Sequence, residues 1–194
     1  MEKILYSKKI AKLYYEKGNN ESDMKQYLKA IEFYNKSLKI NPKSGFCLNN
    51  KGIALFNLNL IEQSIVCYNQ ALDINRYDAL AYYNKGISLH ELKRYDEACE
   101  CYTKSLFINP NFKSALFNKG YSLFQLNKLN EALDCFLNSN KNDLDILNSI
   151  GIVLNALDRH QEAVQYFNKA IEINSNFELA KLNLNLTLDR LYYN

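Results

Sequence analysis

The chain has 194 residues, of which 47% are hydrophobic and 23% charged, with a formal net charge of +3. This is the composition of a globular protein and excludes a disordered chain. Two prolines and six glycines are too few for an all-β sandwich with many tight turns. Residues 1–43 hold ten lysines and five acidic residues, whereas residues 44–194 hold fourteen basic and sixteen acidic ones. The main body therefore lacks the dense basic surface that is typical of nucleic-acid binding.

One pattern recurs along most of the chain with a period of 34 residues. Asn-Lys-Gly ends at Gly52, Gly86 and Gly120, and Gly151 follows after 31 residues. A small residue stands twelve positions after each glycine, namely Ser64, Ala98, Ala132 and Ala163, with Ala30 further upstream. An aromatic residue follows four positions later, at Tyr68, Tyr102, Phe136 and Phe167, with Tyr34 upstream. Two series in the same phase predict a helix-turn-helix repeat in which small residues let two helices approach closely.

The repeat divides the chain into five predicted units and a terminal helix. The units cover residues 4–44, 45–78, 79–112, 113–143 and 144–177, and a capping helix covers 178–192. In the first unit we expect Ala11 at the glycine position, and a longer inter-helix turn through residues 18–23. The fourth unit is three residues short, so we expect its second helix to end early and the stacking angle of the next unit to change. Asp143 should then cap the next helix through its carboxylate.

These residues resemble those of the tetratricopeptide repeat family. The resemblance rests on the glycine, small-residue and aromatic series and on two unit-ending prolines, Pro42 and Pro110. It implies an all-α, right-handed superhelical solenoid that forms a single domain over residues 1–194. It also implies a scaffold or adaptor that binds a peptide segment of a partner protein in a concave groove.

No motif indicates catalysis, a cofactor or a metal ion, and we expect none of the three. Phosphate-binding loops and His-Glu-x-x-His are missing, and His90 and His160 occupy different repeat positions. Cys67, Cys101 and Cys135 recur at the repeat spacing, which favours packing over redox chemistry. Five cysteines without a Cys-x-x-Cys pair indicate a reducing compartment. Without a signal peptide or a membrane span in the sequence, we expect a cytoplasmic protein that does not contact a membrane.

The resemblance implies that the first helix of each unit lines the groove. The residue two before each glycine then faces the groove, and it is Asn50, Asn84, Asn118 and finally Ser149. A carboxamide donates and accepts hydrogen bonds, so this ladder is suited to hold the backbone of an extended peptide. An alternative is that these asparagines are merely solvated. In both cases we expect their replacement by alanine to leave folding almost unchanged.

Two further series are expected in the groove beside the ladder. Asn49, Tyr83, Phe117 and Asn148 stand three before the glycines, and Ile53, Ile87, Tyr121 and Ile152 follow them directly. The apolar members of the middle units should cluster and confer specificity. Alternatively, some of them pack against the neighbouring helix.

Rival functions remain open from the sequence. Lys8 and Asn50 match the clamp with which some family members hold a C-terminal carboxylate, but Lys12, Leu80 and Asn84 depart from it. We still expect Lys8 and Lys12 to lie in the groove and to make that end of it positive. A structural subunit that self-associates as a homodimer through Leu184, Leu188 and Leu191 is a second possibility. RNA association and enzymatic activity rank below both.

Overall fold

The computed structural model describes residues 2–140 and 142–193, and every regular element within them is an α-helix. The repeats are grouped into two larger compact units, Met1–Pro110 and Asn111–Asn194, and from here on these are called the first and the second unit. The first contains α1 (Glu2–Asp23), α2 (Tyr27–Ile40), α3 (Gly45–Asn57), α4 (Ile61–Ile74), α5 (Ala79–Glu91) and α6 (Tyr95–Ile108). The second contains α7 (Lys113–Gln125), α8 (Leu129–Leu137), α9 (Leu144–Ala156), α10 (His160–Ile173) and α11 (Glu178–Tyr193). The predicted all-α arrangement of helix-turn-helix repeats is confirmed.

Within each unit, every helix packs against the next one along the chain, and the core lies between the paired helices. The centre of each pair is a buried ring on the second helix that faces a glycine on the first. These rings are Tyr34, Tyr68, Tyr102, Phe136 and Phe167, each at most 1% exposed. A Cβ at Gly86, for example, would lie 2.6 Å from Cε1 of Tyr102. The glycine is therefore required by close approach between the helices.

The structure corrects the first repeat. Gly18, predicted to lie in a turn, is inside α1 and faces Tyr34, where a Cβ would lie 2.5 Å from Cε1 of that ring. Gly18 also stands 34 residues before Gly52, so it and not Ala11 occupies the glycine position. The expected long turn is absent, and α1 instead extends at its N-terminal side. The polar run after Gly18 was misleading because Asn, Ser and Asp disfavour helix interiors only weakly, Glu favours them, and tertiary packing stabilises the helix.

The turns between the paired helices share one backbone device. The second residue after the end of each first helix has a positive φ of 58–61°, and these residues are Lys25, Asn59, Lys93, Asn127 and Asp158. The residue after each of them donates its N–H to a carbonyl five positions back, as Leu60 does to Leu55. This is the Schellman ending, which satisfies carbonyls that the helix leaves open. Lys25 fits the same spacing, so the corrected first repeat also has a turn of ordinary length.

The shortened fourth repeat behaves as predicted at its helix end. Helix α8 has 9 residues, whereas α10 has 14. The carboxylate of Asp143 accepts hydrogen bonds from the N–H groups of Asp145 (3.0 Å) and Ile146 (3.3 Å) and so caps α9. Both the early end and the cap are confirmed, whereas the changed stacking angle stays a prediction.

The periodic cysteines pack in the core as predicted. Cys67 and Cys101 are buried, and Cys135 is half-buried. Burial is the main cause that raises the pKa of all three thiols. A raised pKa keeps them as unreactive thiols near neutral pH.

We expect Gly86→Ala to destabilise the protein by about 1–3 kcal/mol, even though alanine favours helices, because its Cβ would overlap the Tyr102 ring. Gly45→Ala is the matched control, since the nearest atom to a Cβ there is the Ala71 carbonyl oxygen at 3.8 Å. The control should be neutral or stabilising. Urea denaturation of the full chain measures both, and equal stability of the two variants would contradict the proposed role of this contact.

Candidate functional site

A cavity in the first unit contains two of the residues predicted to bind a peptide. Its volume is about 380 Å³, and it is lined by Asn19, Ser22, Asp23, Tyr34, Asn50 and Ile53. Asn50 and Ile53 come from α3 as predicted. The other four come from α1 and α2, and three of them, Asn19, Ser22 and Asp23, were missed because the sequence reading placed residues 18–23 in a turn. With Gly18 as the repeat glycine, Asn19 occupies the same repeat position as Ile53, which is the signal that would have revealed it.

Hydrogen bonds within the cavity fix the orientation of Asn50. Its Nδ2 donates to the Tyr15 hydroxyl (3.1 Å) and to Asn19 Oδ1 (2.9 Å). The Tyr34 hydroxyl also donates to Asn19 Oδ1 (2.9 Å), and burial raises the pKa of Tyr34 to about 12, so this proton stays in place. Both N–H hydrogens of Asn50 are used inside the protein. Its Oδ1 is therefore the atom left to accept a hydrogen bond from a ligand.

The same hydrogen bond recurs between neighbouring first helices. Asn84 Nδ2 donates to Asn49 Oδ1 (3.0 Å), and Asn183 Nδ2 donates to Asn148 Oδ1 (2.8 Å). Donor and acceptor are 35 residues apart in both pairs. Asn49 and Asn148 are each 3% exposed, so they hold the helices together and are not open to a ligand. This corrects the expectation that Asn49 and Asn148 face the groove.

Ser149 departs from the ladder and is buried. Its hydroxyl donates to the carbonyl oxygen of Asp145, one turn back in α9 (2.6 Å), and lies 3.3 Å from the Tyr121 hydroxyl. A serine is too short to reach as far as an asparagine and bonds to its own helix instead. The residue one repeat earlier, at the acceptor position, is Phe117, which has no hydrogen-bonding group. Ser149 is thus not placed to contact a ligand directly, and Asn118 is half-buried on α7.

The predicted aromatic residues of the groove pack partly on the repeat rings. In the first unit, Tyr83 lies against Tyr102, with ring centroids 6.1 Å apart. In the second unit, Phe117 and Tyr121 pack on each other (5.0 Å) and on Phe136 (5.7 and 5.6 Å). Tyr121 remains 37% exposed, and Ile87 is half-buried. These residues are therefore partly packed against neighbouring helices and partly exposed, as the two alternatives predicted. That the apolar residues of the middle repeats form one cluster stays a prediction.

The corrected first repeat changes the comparison with the carboxylate clamp. Lys8 and Lys12 are exposed on α1, and Lys12 pairs with Glu16 at 3.6 Å. Lys12 precedes Asn19 by seven residues, about 10 Å along the helix, so neither lysine lines the cavity. The clamp position assigned to Lys8 belongs to Tyr15, and a carboxylate would meet no cation there.

Helix α11 exposes a different leucine stripe from the predicted one. Leu184, Leu188 and Leu191, proposed for a homodimer, are half-buried on the side of α11 that carries the buried Ala180 and Thr187. The exposed leucines are Leu179, Leu182 and Leu186, at 50%, 57% and 52%. The spacing of the leucines does not show which of these two stripes faces α9 and α10. The structure therefore corrects the predicted association surface from Leu184, Leu188 and Leu191 to the exposed stripe.

This geometry defines a helical repeat protein whose first helices are joined by carboxamide hydrogen bonds. Profiles of the tetratricopeptide repeat match residues 11–44, 79–112, 114–143 and 144–177, and a TPR repeat profile matches residues 52–93. The chain belongs to the tetratricopeptide repeat family.

Solved structures share this fold at low sequence identity. The MamA protein superposes with a TM-score of 0.78 at 20% identity over 86% of this chain and 92% of that chain. MamA from Desulfovibrio magneticus RS-1 gives 0.81 at 19% identity, over 86% and 96%. YrrB, described as a TPR protein with an unusual peptide-binding site, gives 0.74 at 21% identity, over 86% and 88%. No curated protein sequence matches the chain.

Within residues 2–140 and 142–193, no helix is both long enough and apolar enough to span a membrane. The same residues hold no group of three or more His, Cys, Asp or Glu side chains arranged to bind a metal ion.

We expect Asn84→Ala to destabilise the protein by about 1–3 kcal/mol, because it leaves the buried Asn49 Oδ1 without its donor. This replaces the expectation that alanine at the ladder leaves folding unchanged. Asn69→Ala, at an exposed position on α4, is the control and should cost nothing. Urea unfolding compares the two variants, and an effect no larger than that of the control would show that the inter-repeat bond does not stabilise the fold.

Proposed function

We propose that the protein is a scaffold that binds a peptide segment of a partner protein, and that it is not an enzyme. The observation that carries the proposal is the cavity of the first unit, which brings Asn50 and Ile53 together with polar groups of α1. A cavity of about 380 Å³ with both polar and apolar walls is of the size that holds one or two ligand side chains. The free thiols support the cytoplasm as the place where it acts.

Two polar groups of this cavity, Asn50 and Asp23, present acceptors to a ligand. Asn50 has its Oδ1 free, and the exposed carboxylate of Asp23 forms no ion pair within the described part of the chain. Backbone N–H groups of an extended peptide match Asn50, and a basic side chain of the ligand matches Asp23. Ile53 supplies the apolar contact. The ligand favoured by this chemistry is therefore a peptide with a basic residue next to an apolar one.

The family and the fold support this proposal in general terms. Stacked helix pairs present extended surfaces that suit peptide binding. The similar fold of YrrB occurs in a protein described as having a peptide-binding site. At 21% identity that likeness shows the fold alone, so the assignment of this cavity rests on its own residues.

We expect Ile53→Ala to weaken peptide binding about fivefold to tenfold, because an apolar contact is lost while the helix is kept. The probes are peptides selected from a randomised displayed library on the purified full-length protein, titrated by fluorescence anisotropy. Ile40→Ala is the matched control, since Ile40 lies in the same unit and does not line the cavity. Equal affinity of every selected peptide for the Ile53→Ala variant and the parent would overturn the assignment.

Self-association is a second candidate, favoured by the three exposed leucines of α11. We expect Leu182→Lys with Leu186→Lys to convert a dimer into a monomer, because two charges cannot be buried unpaired at an interface. Leu28→Lys, at a 68% exposed leucine of α2, is the control and should leave the dimer intact. Sedimentation velocity at several protein concentrations measures the association, and a parent that stays monomeric would exclude this function.

A further inference from the structure

A second cavity lies in the first unit, outside the peptide site proposed above. It has a volume of about 350 Å³ and lies between the turn after α4, the start of α5 and the end of α6. It is lined by Arg76, Tyr77, Tyr82, Thr103, Lys104, Phe107 and Ile108. Tyr82 directly precedes Tyr83 and Asn84 on α5, and a rotation of about 100° per residue places it on another face of that helix. We call this surface the aromatic patch.

The aromatic patch exposes rings that the fold does not need. Phe107 is 83% exposed and Tyr77 is 60% exposed. The equivalent repeat positions of Phe107 carry Lys39, Asp73 and Glu172, and those of Tyr77 carry Lys43, Asn111 and Asn176. Charged and polar residues serve at these positions elsewhere in the same chain. Packing of the repeat therefore does not account for an aromatic ring at either place, and exposed apolar groups of this kind mark interaction surfaces.

Two cations border the rings. The guanidinium of Arg76 lies over the Tyr77 ring at 4.9 Å, and Nζ of Lys104 lies over the Tyr82 ring at 5.7 Å. Neither cation is within 4.0 Å of a carboxylate in residues 2–140 and 142–193. An apolar pocket with two unpaired cations at its rim is complementary to an apolar side chain flanked by carboxylates.

We propose that the aromatic patch binds a protein segment in which an apolar side chain is flanked by acidic residues. The apolar side chain enters the pocket beside Phe107, and the acidic residues meet Arg76 and Lys104. Single-stranded nucleic acid fits less well, because a cation already occupies one face of Tyr77 and one face of Tyr82, which leaves fewer ring faces for base stacking. Residues 45–112 also carry six basic and seven acidic residues, which is no basic surface.

The test uses labelled heptapeptides of the form Gly-Glu-Glu-X-Glu-Glu-Gly, with Leu, Ile, Met, Phe or Trp as X, and matched sets in which Lys or Ser replaces Glu. Fluorescence anisotropy with the full-length protein should show binding of the Glu set alone. Phe107→Asp should weaken it about tenfold or more. Raising NaCl from about 50 mM to about 500 mM should also weaken binding, because the rim charges are exposed.

Matched variants keep the result interpretable. Phe107→Asp and Tyr77→Asn introduce residues that the chain already has at equivalent positions, Asp73 and Asn111, so both variants should fold. Phe46→Asp makes the same change at a 76% exposed phenylalanine outside the patch and should leave binding unchanged. Ile53→Ala should also leave it unchanged, which separates this site from the proposed peptide cavity.

Four outcomes overturn the proposal. They are no binding of any Glu peptide, equal binding of the Lys set, equal loss in Phe46→Asp, and no loss in Phe107→Asp. Oligouridine bound through Phe107, or a dimer of the chain that Phe107→Asp dissociates, would assign the patch to another partner and overturn it as well.

Discussion

The contact between a glycine of one helix and an aromatic ring of the next determines the geometry of every repeat. A Cβ at any of the five repeat glycines would lie 2.4–2.7 Å from its ring. The helices of a pair can therefore reach this separation only if the first helix has no side chain at that point. Because this contact fixes the rotation of the first helix about its axis, it also fixes which way the side chains next to the glycine point. The residues two and three before the glycine then meet the adjacent first helix, which is why hydrogen bonds between repeats recur there.

These inter-repeat hydrogen bonds change the meaning of the asparagine ladder. A carboxamide that donates to the preceding repeat has fewer groups left for a ligand, and in Asn50 only Oδ1 is left. Asn50 and Asn84 are therefore not merely solvated, since each of them also joins neighbouring first helices. Because Asn50 is held by Tyr15 and Asn19, its carbonyl oxygen is oriented before any ligand arrives. Such preorganisation lowers the entropy that binding would otherwise cost.

The sequence predicted the fold well because each repeat carries the same small and aromatic residues at the same spacing. Helix type, the early end of α8 and the cap at Asp143 followed from such local signals. The first repeat was misread because Gly18 is followed by polar residues that suit a turn equally well. The candidate site was predicted only in part, since the contribution of Asn19 and Asp23 depends on that same repeat. The facing of the leucines on α11 depends on which side packs against α10, and spacing alone does not contain that information.

A repeat protein allows one chain to serve as its own comparison set. Positions that are needed for packing, such as those of Gly86 and Tyr102, carry the same residue type in each repeat. Positions without that packing constraint vary in residue type. Where such a position carries a residue that is unfavourable in water, a role other than packing is indicated. Phe107 is such a residue, because exposing a ring to water is unfavourable and Asp73 shows that a charged residue serves at the same repeat position. Asn19 is the opposite case, since an asparagine stands where later repeats have isoleucine or, at Tyr121, tyrosine, and it binds Asn50 and Tyr34. In both places the residue that departs from the repeat pattern lines a cavity. Packing requirements keep the other positions uniform along the chain, and a departure from them therefore points to each candidate site.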